Sequence, residues 1–126
     1  MTAHAPAAIP ILKQRDNLIA TLPSAPTDED LQRLQSELMD EVGRRRARGA
    51  VIDVTVVEMM DSFAVRTLRT IAESVRLRGA YTVIVGVQPE VALDMVRLGL
   101  TFGDVPTALD LEEGLAFLAR RESGGR

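Results

Sequence analysis

The sequence predicts one layered α/β domain, with a mixed β-sheet, an N-terminal hairpin and about four helices packed on the sheet. Three observations support this fold class. Short apolar runs rich in β-branched residues are typical of strands that are covered on both faces. Apolar residues at helical spacing alternate with these runs along the chain. The chain has 126 residues, 46% of them apolar, which is enough for one hydrophobic core and little more.

The folded domain is expected to cover residues 9–121. Residues 1–8 lack the basic start and the apolar core of a signal peptide, so we expect a flexible tail there. Residues 122–126 are expected to be frayed. The net charge of −3 argues against a nucleic-acid binder, which needs a basic face. The absence of cysteine and of an apolar run of about 20 residues favours a cytoplasmic protein without a membrane span.

The first predicted elements are a β-hairpin and a helix. Strand candidates cover residues 9–13 and 18–22, with turn chemistry at Asp16 and Asn17 between them. In the helix that follows, Thr27 is placed to cap the start, and an apolar stripe indicates the buried face. Arginines crowd the last turn of this helix, and Gly49 is expected to close it.

The central stretch predicts a strand, a connector and a second helix. The strand covers residues 50–54, and the helix begins at Asp61 and Ser62 and runs to about residue 78. Apolar residues follow Phe63 at helical spacing, and Gly79 is the expected helix cap. A hydroxyl is therefore presented at the start of a helix, beside a carboxylate.

The C-terminal part of the chain predicts a further strand and two more helices. The strand covers residues 81–87, and the helix after it has Pro89 in its first turn and ends at Gly99. Val91, Met95 and Leu98 are expected on the inner face of that helix. A short extended segment lies within residues 102–108, and the last helix covers residues 110–119, capped by its first residue.

The sequence offers little support for catalysis at Ser62. A serine nucleophile needs a base, and the only histidine is His4, in the expected tail. Glycine-rich phosphate-binding motifs and zinc-ligand spacing are both missing. A cation or phosphoaspartate site at Asp53, Glu58 and Asp61 is the weaker interpretation, because the only lysine lies in the first strand.

The simpler explanations of these residues are structural. Asp53 is expected to cap backbone groups at the end of its strand, and Glu58 is expected to be solvated. At least one of Met59 and Met60 is expected to pack in the core, although both could form an adaptable contact surface. From its spacing alone, Ser62 is best explained as a helix cap.

Several short segments, in this order and spacing, resemble the STAS domain of anti-sigma-factor antagonists. The resemblance is closest to the small RsbS-type scaffold proteins of the bacterial stressosome, and it covers residues 9 to 119. The supporting segments are IPIL at 9–12, VID at 51–53, DSF at 61–63, GVQP at 86–89, LG at 98–99 and TALDLE at 107–112.

The resemblance implies a non-catalytic scaffold that needs no cofactor and is switched by phosphorylation of Ser62. Unphosphorylated, such a scaffold holds a serine/threonine kinase of the histidine-kinase-like ATPase superfamily, together with STAS-containing co-antagonists. Phosphorylation releases the kinase, and a PP2C-type phosphatase resets the system. Self-association is also implied. The co-antagonists carry a second phosphorylatable threonine, and Val85 occupies the matching position here, so the resemblance transfers only the Ser62 site.

The expected recognition surface surrounds Ser62 and includes Asp61, Phe63, Met60 and Asp53. Phosphorylation adds a charge of roughly −1.5 to −2 beside these carboxylates, so we expect it to change binding with little change of fold. A small-ligand-binding or transport-associated STAS domain without a phosphoswitch is the alternative. An enzyme that uses Ser62 is the least supported.

Overall fold

The described residues form a five-stranded mixed sheet with four helices, which confirms the predicted fold class. The computed structural model describes residues 9–124. The strands lie in chain order, with β1 antiparallel to β2 and all other neighbours parallel. The elements are β1 (Ile11–Gln14), β2 (Asn17–Thr21), α1 (Asp28–Arg45), β3 (Gly49–Asp53), α2 (Ser62–Leu77), β4 (Tyr81–Val85), α3 (Pro89–Arg97), β5 (Thr107–Ala108) and α4 (Leu111–Gly124).

The two faces of the sheet bury different sets of side chains. Because side chains alternate along a strand, neighbouring residues of the central strands face opposite layers. Ile19, Val51 and Val83 stand side by side across β2, β3 and β4, and they pack against Leu118 of α4. The alternate residues face α1, α2 and α3 and form the larger core with them. Three helices therefore cover one face of the sheet and α4 covers the other.

The first half of the chain confirms the predicted start of α1 and the predicted hairpin, whose turn lies one residue earlier than expected, at residues 15–16. The Thr27 hydroxyl accepts a hydrogen bond from the Asp30 N–H, and the Asp30 carboxylate accepts one from the Thr27 N–H, both at 3.0 Å. These two bonds form a capping box. The predicted end of α1 at Gly49 is wrong. The left-handed residue is Arg46, with φ of 52°, and Gly49 is already the first residue of β3.

In the second half of the chain, the order of elements is confirmed and some ends differ. Leu98 is 67% exposed, so only Val91 and Met95 form the buried face of α3. Asp110 accepts a hydrogen bond from the Glu113 N–H at 2.9 Å, which confirms the cap of α4. This helix continues to Gly124, three residues into the segment predicted as frayed. The predicted tail, residues 1–8, lies outside the described residues, as do residues 125 and 126.

Candidate functional site

The candidate site lies where β3 and β4 end, at the carboxyl edge of the parallel part of the sheet. Chain segments that follow neighbouring parallel strands meet at this edge. The connector of residues 54–61 leads from β3 to α2, and residues 86–88 lead from β4 to α3. The Val54 N–H donates to the Val85 carbonyl at 2.9 Å, so the two segments leave the sheet side by side.

Asp53 organises the first turn of the connector. Its Oδ1 atom accepts hydrogen bonds from the N–H of Thr55, at 2.9 Å, and from the Thr55 hydroxyl. The expectation that Asp53 caps backbone groups at the strand end is therefore confirmed. Glu58 is exposed, as expected, and its N–H donates to the Ser24 carbonyl at 3.1 Å. The connector is thus fixed at both its beginning and its middle.

Thr55 and Gln88 join the two segments, and the sequence analysis missed both residues. The Gln88 Nε2 group donates to the Thr55 carbonyl at 2.8 Å. Gly86, with φ of 83°, lies directly against Thr55: a β-carbon at Gly86 would stand 2.2 Å from the Thr55 hydroxyl and 3.0 Å from its Cα. A threonine two residues after an aspartate is a recognised turn pattern and could have indicated Thr55. Nothing in the sequence pairs it with Gln88.

The cap of α2 is Asp61, not Ser62. The Asp61 Oδ1 atom accepts a hydrogen bond from the Ala64 N–H at 2.8 Å, and its backbone is extended, as is typical of a cap residue. Both aspartate and serine are common caps, so the sequence alone placed the cap one residue too late. Ser62 is the first residue of the helix.

The Ser62 side chain is exposed at this first helical position. Within residues 9–124, its hydroxyl forms no hydrogen bond. The first N–H groups of a helix have no partner inside the helix, and the helix dipole favours negative charge there. The hydroxyl is therefore accessible to an enzyme and is not needed to hold the helix.

The side chains around Ser62 divide into an exposed set and a buried set. Met60 is only 6% exposed and packs in the larger core, so its predicted place on the recognition surface is corrected. Met59 is 79% exposed, which makes it the methionine that a partner can contact. Phe63 is half-buried against the core, and Asp61 is exposed. The connector has no regular period, so the sequence does not show which methionine points inward.

No three-carboxylate cluster forms at this edge. Across the described part of the chain, no three side chains of histidine, cysteine, aspartate or glutamate lie together as metal ligands. Asp53 is held by Thr55, whereas Asp61 is held by the helix start. Lys13 lies on β1, and β2 separates that strand from β3.

Comparison with known proteins decides the family. The sequence profile of the STAS domain matches residues 9–114, which is most of the chain. The chain belongs to the STAS domain family. The resemblance inferred from the sequence is confirmed, and the helix start with Asp61 and Ser62 is part of this STAS domain.

Two kinds of relative are similar to this STAS domain. It is 29% identical to a serine-to-glutamate variant of RsbS from Moorella thermoacetica, with a TM-score of 0.79 over 93% of this chain and 99% of that one. A chain from a structure of the stressosome, described as a signal integration and transduction hub, is 31% identical, with a TM-score of 0.76 over 90% and 98% of the two chains.

The RsbT co-antagonist protein RsbRA of Bacillus subtilis is 31% identical over 87 residues, which are 69% of this chain and 32% of RsbRA. RsbRD, a second co-antagonist of the same organism, is 34% identical over 65 residues, or 52% of this chain and 23% of RsbRD. This STAS domain thus spans about a third or less of these curated relatives. No helix within residues 9–124 is long and apolar enough to cross a membrane.

Replacing Asp61 by alanine tests the cap assignment in this STAS domain. We expect the free energy of unfolding to fall by about 1 kcal/mol, because the Ala64 N–H loses its acceptor. Asp61→Asn keeps a side-chain oxygen and should restore most of the loss. Urea denaturation measures both variants. Ser62→Ala is the matched control, and an equal loss in that variant would show that Ser62 shares the cap.

Proposed function

We propose that this protein is a non-catalytic scaffold of a cytoplasmic stressosome that binds a serine/threonine kinase and releases it when Ser62 is phosphorylated. The observation that carries the proposal is that two different residues cap α2 and present the hydroxyl. Asp61 supplies the cap, and Ser62 presents a free, exposed hydroxyl one residue later. A kinase can modify this hydroxyl without removing the bond that starts the helix.

The relatives support the scaffold role. RsbRA and RsbRD are named as co-antagonists of RsbT, and a similar chain forms part of a solved stressosome. The RsbS relative was solved with a serine replaced by glutamate, a change that adds a negative charge at a serine. We therefore propose STAS-containing co-antagonists, further copies of this chain, a kinase of the histidine-kinase-like ATPase superfamily and a PP2C-type phosphatase as partners.

The start of α2 suits a phosphoserine electrostatically. A phosphate brings roughly −1.5 to −2 charges at neutral pH, and a helix N-terminus favours such charge. Arg66 is exposed one helical turn after Ser62, at the spacing that lets opposite charges on a helix meet. The domain can therefore carry the phosphate without unfolding.

The same phosphate changes the surface that a partner meets. Met59 and Val56 expose apolar side chains on the connector before α2, and Glu58 and Asp61 of the same connector are also exposed. An interface that buries these apolar groups also desolvates whatever stands at Ser62. A hydroxyl tolerates this desolvation at low cost, whereas a phosphate that follows the Asp61 carboxylate does not.

Phosphorylation in vitro tests the proposed site. The full chain is incubated with ATP and the candidate kinase, and its intact mass is measured. We expect one added phosphate on the native chain and on Ser36→Ala, which removes an exposed serine of α1, and none on Ser62→Ala. An unchanged mass for the native chain, with the kinase active on another substrate, would contradict the proposal.

A further inference from the structure

A cavity of about 490 Å³ opens beside β4, away from the strand ends that carry the candidate site. It lies between the second half of α2, the segment of residues 102–106 and α4. The cavity exists because β5 is only two residues long and pairs only with Ile84 and Val85. The first half of β4 therefore has no neighbouring strand on this side. The volume is in the range of small-molecule sites in proteins.

Thr82 of β4 presents unpaired polar groups in this cavity. The residue is only 5% exposed, and its hydroxyl has no hydrogen-bond partner in the described chain. The backbone hydrogen bonds of Tyr81 and Val85 are formed with residues on the β3 side of the strand. The Ile84 N–H donates to the Pro106 carbonyl on the β5 side. Since alternate residues of a strand bond to alternate sides, the N–H and carbonyl of Thr82 also point to the side that β5 leaves open. A buried polar group without a partner is rare in a folded protein.

Three guanidinium groups, from Arg69, Arg76 and Arg121, line the same cavity. The Arg76 Cζ lies 4.2 Å from the centre of the Tyr81 ring, and its NH2 group donates to the Tyr81 hydroxyl at 3.1 Å. Arg121 lies 4.9 Å from the same ring. None of the three arginines takes part in an ion pair found in residues 9–124.

The rest of the lining limits the kind of ligand. The lining also contains two carboxylates, Glu73 and Asp104. Together with the three arginines they give the cavity wall a formal net charge of +1. The apolar part of the wall includes Ala72, Phe102 and Phe117. Planar guanidinium groups match the oxygens of phosphates and carboxylates, and aromatic walls match an apolar body.

We propose that this cavity binds a small organic anion, in which a phosphate or carboxylate is joined to an apolar body. The anionic group contacts the arginines and accepts a hydrogen bond from the Thr82 hydroxyl, and the apolar body lies against Phe102 and Phe117. This ligand gives the buried hydroxyl an acceptor and gives the three arginines a counter-charge. The cavity and Ser62 share α2, so the binding site lies on the helix that carries the proposed phosphate acceptor.

Titration of the isotope-labelled full chain, followed by amide and arginine side-chain resonances in nuclear magnetic resonance spectra, tests the proposal. The probes are phenyl phosphate, benzoate and the uncharged phenol. We expect saturable resonance shifts at Thr82, Gly103 and the cavity arginines with phenyl phosphate or benzoate. The probe that binds with the higher affinity identifies the preferred anionic group. Phenol should bind at least about tenfold more weakly, because it lacks the charge.

Variants separate this site from general attraction of anions. Arg76→Gln and Arg121→Gln should each weaken binding about tenfold, whereas Arg120→Gln, the adjacent exposed position of α4, should leave it unchanged. Thr82→Val should weaken binding while the melting temperature stays equal or rises, because it removes an unpartnered hydroxyl. Shifts that do not saturate, equal losses in Arg120→Gln, or binding of an extended acidic peptide along β4 in place of phenyl phosphate would overturn the proposal.

Discussion

Replacing Gly86 by alanine is expected to lower the free energy of unfolding by about 2–4 kcal/mol, from backbone strain and a steric clash together. The φ of Gly86 is 83°, in the left-handed region that disfavours side chains. The new methyl group would also meet the hydroxyl and the Cα of Thr55. The hydroxyl is held by Asp53, so it cannot simply turn away. Urea denaturation measures the loss, with the same dependence of the unfolding free energy on urea concentration applied to both proteins.

Gly79→Ala is the matched control for this prediction. Gly79 has a similar φ, of 93°, but nothing lies within 4 Å of the position that its β-carbon would take. This variant carries the backbone strain without the clash, so its expected loss is only about 1 kcal/mol. Equal losses in the two variants would show that the contact of residues 86–88 with Thr55 contributes nothing. In Gly86→Ala we also expect the hydrogen bond from Gln88 to the Thr55 carbonyl to be lost.

Replacing Ser62 by glutamate is expected to weaken kinase binding at least about tenfold, or ~1.4 kcal/mol. Glutamate places a single charge at the helix start, next to Asp61, where an apolar interface with Met59 would have to desolvate it. The fold should be retained, because the Asp61 cap is unchanged and negative charge is favourable at this helix end. Isothermal titration calorimetry against the kinase measures the affinity.

Ser62→Gln is the neutral control of nearly the same size as the glutamate variant. We expect it to keep most of the affinity, whereas the glutamate variant loses it and the true phosphoprotein loses more, because its charge is larger. High salt should narrow the difference, since screening weakens interactions of exposed charges. If the glutamine variant bound the kinase as poorly as the glutamate variant, the size of the side chain at position 62, and not its charge, would determine the affinity.

Most of the fold follows from periodicity in the sequence. The apolar strands and the helical stripes gave the order of elements, because each pattern reflects which faces are buried. The ends of elements were less predictable. Gly49 was expected to close α1, yet Arg46 takes the left-handed conformation, which is uncommon for a residue with a side chain. Leu98 follows the helical spacing of α3, but the helix ends before it and leaves it exposed.

The site was predicted in outline, and its details depend on tertiary contacts. The sequence indicated a helix start at Asp61 and Ser62 but could not choose between two good caps. Burial of Met60 and exposure of Met59 depend on how an irregular connector crosses the core. The cavity beside β4 could not be predicted at all. It depends on the two-residue length of β5 and on arginines from two helices that are far apart in sequence.

We propose that phosphorylation of Ser62 changes kinase binding and leaves the fold intact. The most direct test compares one sample of the full chain before and after enzymatic phosphorylation, by kinase affinity and by amide resonance positions. We expect the affinity to fall at least about tenfold. Resonance changes should be confined to residues 54–66, with α2 still formed. An unchanged affinity, or loss of α2 on phosphorylation, would contradict the claim.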